Sequence, residues 1–227
     1  MNATDDKTIV REYFNSTGFD RWKRIYGDGE VNSVQLDIRT GHQQTVDTVI
    51  TWLRDDQNLS QLTICDAGCG VGSLSIPLAV EGAKVYASDI SAKMVAEAQD
   101  RAVISLKNTA NPTFTVQDLE SLNGNYHTVI CLDVLIHYPQ EKADEMISHL
   151  CSLAKSRIII SFAPKTFWLT ILKKIGSFFP GPSKATRAYL HRESDVINIL
   201  AKNGFQIQRK AMTRTRFYFS QLLEATK

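Results

Sequence analysis

Leu62-Thr-Ile-Cys-Asp-Ala-Gly-Cys-Gly-Val-Gly72 is followed at a short distance by Lys84-Val-Tyr-Ala-Ser-Asp89. An apolar run, a glycine loop, a helix and a second apolar run closed by an acid describe a βαβ unit that binds a nucleoside. Gly68 and Gly70 fit the dinucleotide pattern G-x-G-x-x-G, but its third glycine position holds Ser73 and the extra glycine falls at Gly72. Asp66 argues further against a dinucleotide, because its charge faces the loop where a pyrophosphate would sit. Like charges about 4 Å apart repel by ~4 kcal/mol at an effective dielectric of about 20. A ligand carrying an ammonium and a sulfonium is attracted instead.

That ligand is S-adenosylmethionine (SAM), with Asp89 placed to accept its ribose hydroxyls. The loop resembles motif I of the class I methyltransferases, and the resemblance makes Asp66, Gly68, Cys69 and Gly70 the expected cradle. In that class a residue after the third strand holds the adenine amino group. Here that residue is Asp118, after Phe114-Thr-Val-Gln117, with Ile90 and Leu119 expected on the two faces of the ring. Leu132 completes the expected cofactor set.

Working outward, residues 62–162 alternate between strands and helices, the signature of a doubly wound α/β fold with a mostly parallel sheet. Strands are predicted over 62–65, 84–88, 113–117, 127–133 and 157–162, and helices over 91–106, 139–154 and 191–203. Segments 205–212 and 217–223 read as a closing β-hairpin, giving seven strands in all. Two segments stand outside this Rossmann-like core of residues 59–227. Residues 1–58 are mostly helical and rich in aromatics that want burial. They read either as an arm folding over the clefts or as helices packed on the sheet. The second segment, about 164–190, is an inserted helical cap after the fifth strand. It interleaves Phe167, Trp168, Ile171, Phe178 and Phe179 with Lys165, Lys173 and Lys174. At the C-terminal ends of the strands such a cap is well placed to roof an acceptor pocket.

The net charge of +2 hides an asymmetry. Residues 1–154 hold 12 Lys and Arg against 21 Asp and Glu, whereas residues 155–227 hold 14 against 3. A basic C-terminal third suits an anionic acceptor, an anionic membrane surface or an acidic partner, and a plain solvated face accounts for it equally well. The chain opens on Met1-Asn-Ala-Thr-Asp-Asp6 without the features of a signal peptide, and no apolar run is long enough to span a membrane. Cys65, Cys69, Cys131 and Cys151 lie in or beside apolar runs, without zinc spacing, and read as buried reduced thiols of a cytoplasmic protein.

Methyl transfer from a sulfonium needs positioning above all, which is worth roughly 7–11 kcal/mol. An amine or phenol acceptor can also need a base. A carboxylate does not, being ionised well below neutral pH. The strand end Cys131-Leu-Asp-Val-Leu-Ile-His137 faces donor and acceptor in this fold, and neither an N/D-P-P-Y/F motif nor a Pro-Cys nucleophile is present. His137 and Tyr138 are the polar groups left near the reacting centre. A neutral His137 can orient a carboxylate, assist a proton transfer or ligate a metal. His42, His127, His149 and His191 have no partner at motif spacing and receive no role.

Tyr13-Phe-Asn-Ser-Thr-Gly-Phe-Asp-Arg-Trp-Lys-Arg-Ile-Tyr26 and Val34-Gln-Leu-Asp-Ile-Arg-Thr-Gly-His-Gln-Gln-Thr45 closely resemble the magnesium-protoporphyrin IX O-methyltransferases. The glycine loop and the 131–137 strand end fit that family too, so the likeness spans essentially the whole chain. It implies methyl transfer from SAM to one propionate of magnesium protoporphyrin IX, yielding the monomethyl ester in chlorophyll biosynthesis. S-adenosylhomocysteine is the by-product, and no metal is bound by the protein, the magnesium entering with the porphyrin. The resemblance makes Tyr26 and His137 the residues that matter for catalysis. As partners it implies the large subunit of magnesium chelatase and peripheral contact with the photosynthetic membrane, without nucleic acid. Nothing like the transit peptide of plant members precedes the arm, which points to a cyanobacterial-type or mature form. Two other readings stay open: a class I enzyme for a quinone-type apolar anion, and a non-catalytic tetrapyrrole carrier. Intact Asp66, Asp89 and Asp118 argue against the carrier.

Overall fold

The computed structural model describes residues 3–56, 58–106, 111–165 and 188–227. Its elements are helices α1 (Ala3–Asn15), α2 (Thr17–Ile25) and α3 (Ser33–Asp56), then β1 (Thr63–Ala67), α4 (Ser75–Val80), β2 (Lys84–Asp89) and α5 (Ala92–Ser105). There follow β3 (Thr113–Val116), β4 (Tyr126–Cys131), α6 (Gln140–Leu153), β5 (Ala154–Phe162), α7 (Glu193–Lys202), β6 (Gln206–Arg214) and β7 (Phe219–Thr226). The strands form a seven-stranded sheet in the order β3-β2-β1-β4-β5-β7-β6, parallel except for β7, which runs antiparallel to both neighbours. The fold is therefore the doubly wound class I methyltransferase architecture, with the hairpin closing one edge.

Successive strand residues point to opposite faces of a sheet, and the core divides accordingly. Cys65, Val129 and Ile158 pack with Met146, Leu150, Val196 and Leu200 of α6 and α7. Their neighbours Ile64, Ile130 and Ile159 pack on the other face with Val46, Val49 and Leu53 of α3 and with Leu78 of α4. The N-terminal 58 residues thus do two different things. Helix α3 is a core helix covering one sheet face. Helices α1 and α2 lie over the C-terminal strand ends, tied to α5 by Ser91, whose hydroxyl donates to the Phe14 carbonyl at 3.0 Å, and by Arg101, which donates to the Tyr26 carbonyl at 2.6 Å. Ser91 also caps α5 by accepting the Met94 N–H, the role its sequence position predicts.

Residues 166–187 of the expected cap lie outside the described residues. Its two ends come together beside β5, where His191 N–H donates to the Ala163 carbonyl at 2.9 Å and Tyr189 N–H to the Ile136 carbonyl at 2.7 Å. His191 is fully buried and bonds Gln140 and the Leu135 carbonyl through its two ring nitrogens, so it clips this junction. Among the described residues no helix is long and apolar enough to cross a membrane.

Candidate functional site

A cavity of about 330 Å³ opens where β1, β2 and β4 end, beneath α1 and α2. Its floor is the glycine loop. Gly68, Gly70 and Gly72 all have left-handed backbone angles (φ +89°, +53° and +82°), which L side chains rarely adopt. A Cβ on Gly68 would lie 2.1 Å from the Val134 side chain, so the loop packs tightly against the β4 end. Above Gly70 a Cβ would meet nothing within 4 Å, and that open face is where a nucleoside has room.

Asp89, at the tip of β2, sits on the cavity wall. It accepts the Gly70 N–H at 2.9 Å and the Ser91 N–H at 2.8 Å, which fixes both oxygens while leaving each a free lone pair. Burial pushes its pKa up to about 6, against those two hydrogen bonds. Ile90, Leu119, Leu132, Cys69 and Gly68 line the same cavity, as do His137 and Tyr26.

Two predicted cofactor residues stand apart from this wall. Asp66 does not border the loop from above, because β1 runs on through Ala67 and strand parity turns Asp66 to the face covered by α4. There it accepts the Ser75 hydroxyl, and burial raises its pKa to about 6. Asp118 borders a neighbouring small cleft with Ile90, Arg11 and Asn15. It caps its own turn by accepting Ser121 N–H at 3.0 Å and pairs with Lys7 of α1 at 2.8 Å.

His137 ends the short turn Leu135–His137 beneath Phe14, whose ring stands edge-on to it with centroids 5.2 Å apart. Its Nδ1 is buried and has no hydrogen-bond partner among the described residues. Burial pushes its pKa down to about 4, only partly opposed by Asp133, so the imidazole is neutral at pH 7. Tyr26 contacts Trp22 and His42 with tilted rings, their centroids at 5.3 and 4.3 Å. Burial first, then Asp133 and Asp89, raises its phenol well above the usual value, leaving it a neutral donor.

Sequence reasoning missed the group that joins these elements. Asp133 has a left-handed backbone (φ +57°) and accepts from His42 Nδ1 at 2.9 Å, from Tyr218 at 2.8 Å and from Ser161 at 3.0 Å. Burial works to raise its pKa, but the His42 bond and charge with the Tyr218 and Ser161 hydroxyls outweigh it and hold the carboxyl below its ordinary value. Since a carboxylate only accepts, His42 Nδ1 carries a proton. Asp133 was in view within the quoted strand end, but His42 is 91 residues away and Tyr218 another 85 beyond Asp133. Only the fold brings the three together.

The model of the magnesium-protoporphyrin IX methyltransferase C-terminus matches residues 131–227, and a general methyltransferase domain model matches 64–157. The magnesium-protoporphyrin O-methyltransferase of Synechocystis is 68% identical over 99% of this chain and 98% of its own. The chloroplastic magnesium protoporphyrin IX methyltransferase of Arabidopsis thaliana is 62% identical over 97% of this chain and 71% of its own. The crystal structure of the Synechocystis enzyme with bound SAH superposes with a TM-score of 0.91 at 66% identity, covering 97% of this chain and 99% of that one.

Proposed function

The chain belongs to the magnesium-protoporphyrin IX methyltransferases, and from that membership we propose how its own residues carry the reaction. The protein is a SAM-dependent O-methyltransferase that esterifies a propionate carboxylate of magnesium protoporphyrin IX in chlorophyll biosynthesis. One observation supports the assignment of roles. A single cavity joins the Asp89 and glycine-loop end to an aromatic end, and two of the polar groups that line it, His137 and Tyr26, are both uncharged.

The residues fit the nucleoside: the face above Gly70 is open, and Asp89 has spare lone pairs for hydroxyl donors. When bound, SAM supplies a methyl carbon on a sulfonium, so that forming the new O–CH₃ bond breaks the S–CH₃ bond and leaves a neutral thioether. No proton has to be removed from an ionised carboxylate. The protein's task is to hold the nucleophile in line and keep water out. Neutral donors suit this, since a full ion pair would draw charge from the attacking oxygen. His137 orients the reacting propionate, and Tyr26, on the α1–α2 arm, closes over it. His137→Ala is expected to lower kcat by up to about a hundredfold through lost orientation with SAM affinity unchanged, measured by single-turnover ester formation and by calorimetry. Near-normal turnover would remove His137 from the mechanism.

Residues 1–58 are thus proposed to contain the lid and 59–227 the catalytic core, with α3 serving the core. The basic aromatic insertion around 164–190 is proposed to touch an anionic membrane surface and the large subunit of magnesium chelatase. Replacing Lys173 and Lys174 together by Ala should reduce sedimentation with phosphatidylglycerol vesicles by roughly tenfold or more, at about 1 kcal/mol per basic residue. Unchanged partition and unchanged porphyrin affinity would sink that contact. Incubating the pure protein with SAM and magnesium protoporphyrin IX is expected to yield the monomethyl ester. No ester from a protein that binds SAM would overturn the acceptor assignment.

A further inference from the structure

Magnesium protoporphyrin IX carries two propionates and only one reacts, so the second negative charge must also find a place in an apolar cavity. Withdrawing a carboxylate from water without a partner costs several kcal/mol. Among the described residues lining the cavity, Arg21 is the one Lys or Arg. The carboxylates on the wall are already committed, Asp89 to backbone N–H groups and Asp133 to His42, Tyr218 and Ser161. Three further cations of α1, α2 and α3 are committed elsewhere. Lys7 pairs with Asp118, Lys23 with Glu97, and Arg39 donates to the carbonyls of Arg24, Ile25 and Gly29. Arg21 pairs with no carboxylate among the described residues. Its guanidinium stands 5.7 Å from the centroid of the Trp22 ring, a flat apolar neighbour that holds the fork in place while leaving its N–H edges open.

Resting on the acceptor assignment above, we propose that Arg21 is the subsite for the non-reacting propionate. Helix α2 then presents two different polar groups to the substrate. Arg21 receives the carboxylate that must stay charged and unreactive. Tyr26, at the C-cap of that helix, faces the carboxylate that must stay nucleophilic. A bidentate guanidinium–carboxylate pair fixes the macrocycle in one orientation and keeps the second propionate away from the methyl donor. Esterification therefore stops at the monoester, since product and substrate both keep the Arg21 pair and only one edge reaches the sulfonium. Neutral His137 cannot serve as this subsite, lacking a charge to offset the second carboxylate.

The test compares two acceptors: magnesium protoporphyrin IX, and its synthetic monoester with the non-reacting propionate already methylated. For the natural chain, the monoester should show a KM about tenfold to a hundredfold higher than the diacid, the worth of a hydrogen-bonded charge pair. Arg21→Gln should raise the KM for the diacid by a similar factor and leave the KM for the monoester, the SAM affinity and the melting temperature unchanged. Arg21→Lys should recover part of the diacid affinity. An Arg21→Gln penalty equal for both acceptors would mean a merely structural arginine and overturn the proposal. So would a diacid preference that survives Arg21→Gln and disappears in His42→Gln. If the natural chain esterifies neither acceptor while binding SAM, the acceptor assignment itself fails, an outcome distinct from either of these.

Discussion

Asp133→Ala should cost the protein about 3 kcal/mol or more of stability, since each part-buried donor left without its acceptor costs about 1–3 kcal/mol, and lower kcat/KM by about two orders of magnitude through misplaced neighbours. Four donors converge on this carboxylate: His42 and Tyr218 on one oxygen, Ser161 and Ser220 on the other. Alanine leaves all four unanswered. It also puts a residue with no local hydrogen-bonding group into a left-handed backbone. Asp133→Asn separates the two losses. Asparagine tolerates that backbone and keeps the shape, so stability should fall by only about 1–2 kcal/mol. Its amide oxygen can still accept from His42 and Tyr218, with the NH2 turned to the Ser161 and Ser220 hydroxyls, which accept as well as donate. The substitution therefore keeps the network's shape and the His42 Nδ1 proton while removing the negative charge beside Tyr26 and the cavity. Urea unfolding and single-turnover ester formation measure the two effects. A stable Asp133→Asn protein with natural turnover would make the network structural alone. A stable protein with turnover down tenfold or more would mean that the Asp133 charge, and not the network's shape alone, serves the reaction.

The same residues mark where sequence reasoning stops. Short-range chemistry was legible. The glycine loop, the acid ending β2, the Ser91 cap and the switch between strand and helix periods all follow from neighbours within a few residues. Motif reading also had the strand end from Cys131 to His137, and with it Asp133, but saw no partner for the acid. His42 was set aside because pairing over 91 residues has no signature in spacing. Asp66 lies off the cavity wall for a local reason. The apolar run stops at Cys65, so the sequence reads the loop as starting there, yet β1 continues through Asp66 and Ala67 and two-residue parity turns the acid toward Ser75. Helix α3 was grouped with the arm because its aromatic-rich neighbours α1 and α2 precede it. Its buried Val46, Val49 and Leu53 repeat at helical spacing and bind it to the core face. Resemblance supplied Tyr26, which no bottom-up argument singled out. In the structure it is a partly buried neutral phenol whose ring centroid lies 4.3 Å from that of His42.

SAM affinity should weaken about tenfold for each pH unit below about 6, and Asp89→Ala should raise the SAM Kd by about two to three orders of magnitude, the worth of two hydrogen bonds to a charged acceptor. The sign follows from burial. Asp89 titrates near 6 in the ligand-free protein, above its ordinary value. Its ionised form therefore dominates at pH 7, and its protonated form from just below 6 downward. Ribose hydroxyls donate best to the ionised form, so binding below pH 6 has to expel a proton and weakens accordingly. Ligand-free stability moves the other way. A carboxyl raised in the fold stabilises it at pH values below its unfolded pKa, and that contribution is lost as pH rises through about 6. The melting-temperature gain on adding SAM should therefore shrink on acidification, one proton accounting for both effects. Asp66 titrates in the same range and must be separated from it. Asp66 is off the cavity wall and bonded to Ser75, so Asp66→Asn should keep the pH slope of SAM binding, whereas Asp89→Asn should flatten it and weaken binding at pH 7. Calorimetric titrations at several pH values decide the matter. A slope that vanishes in Asp66→Asn and persists in Asp89→Asn would transfer the cofactor carboxylate from the β2 tip to the acid beneath the loop.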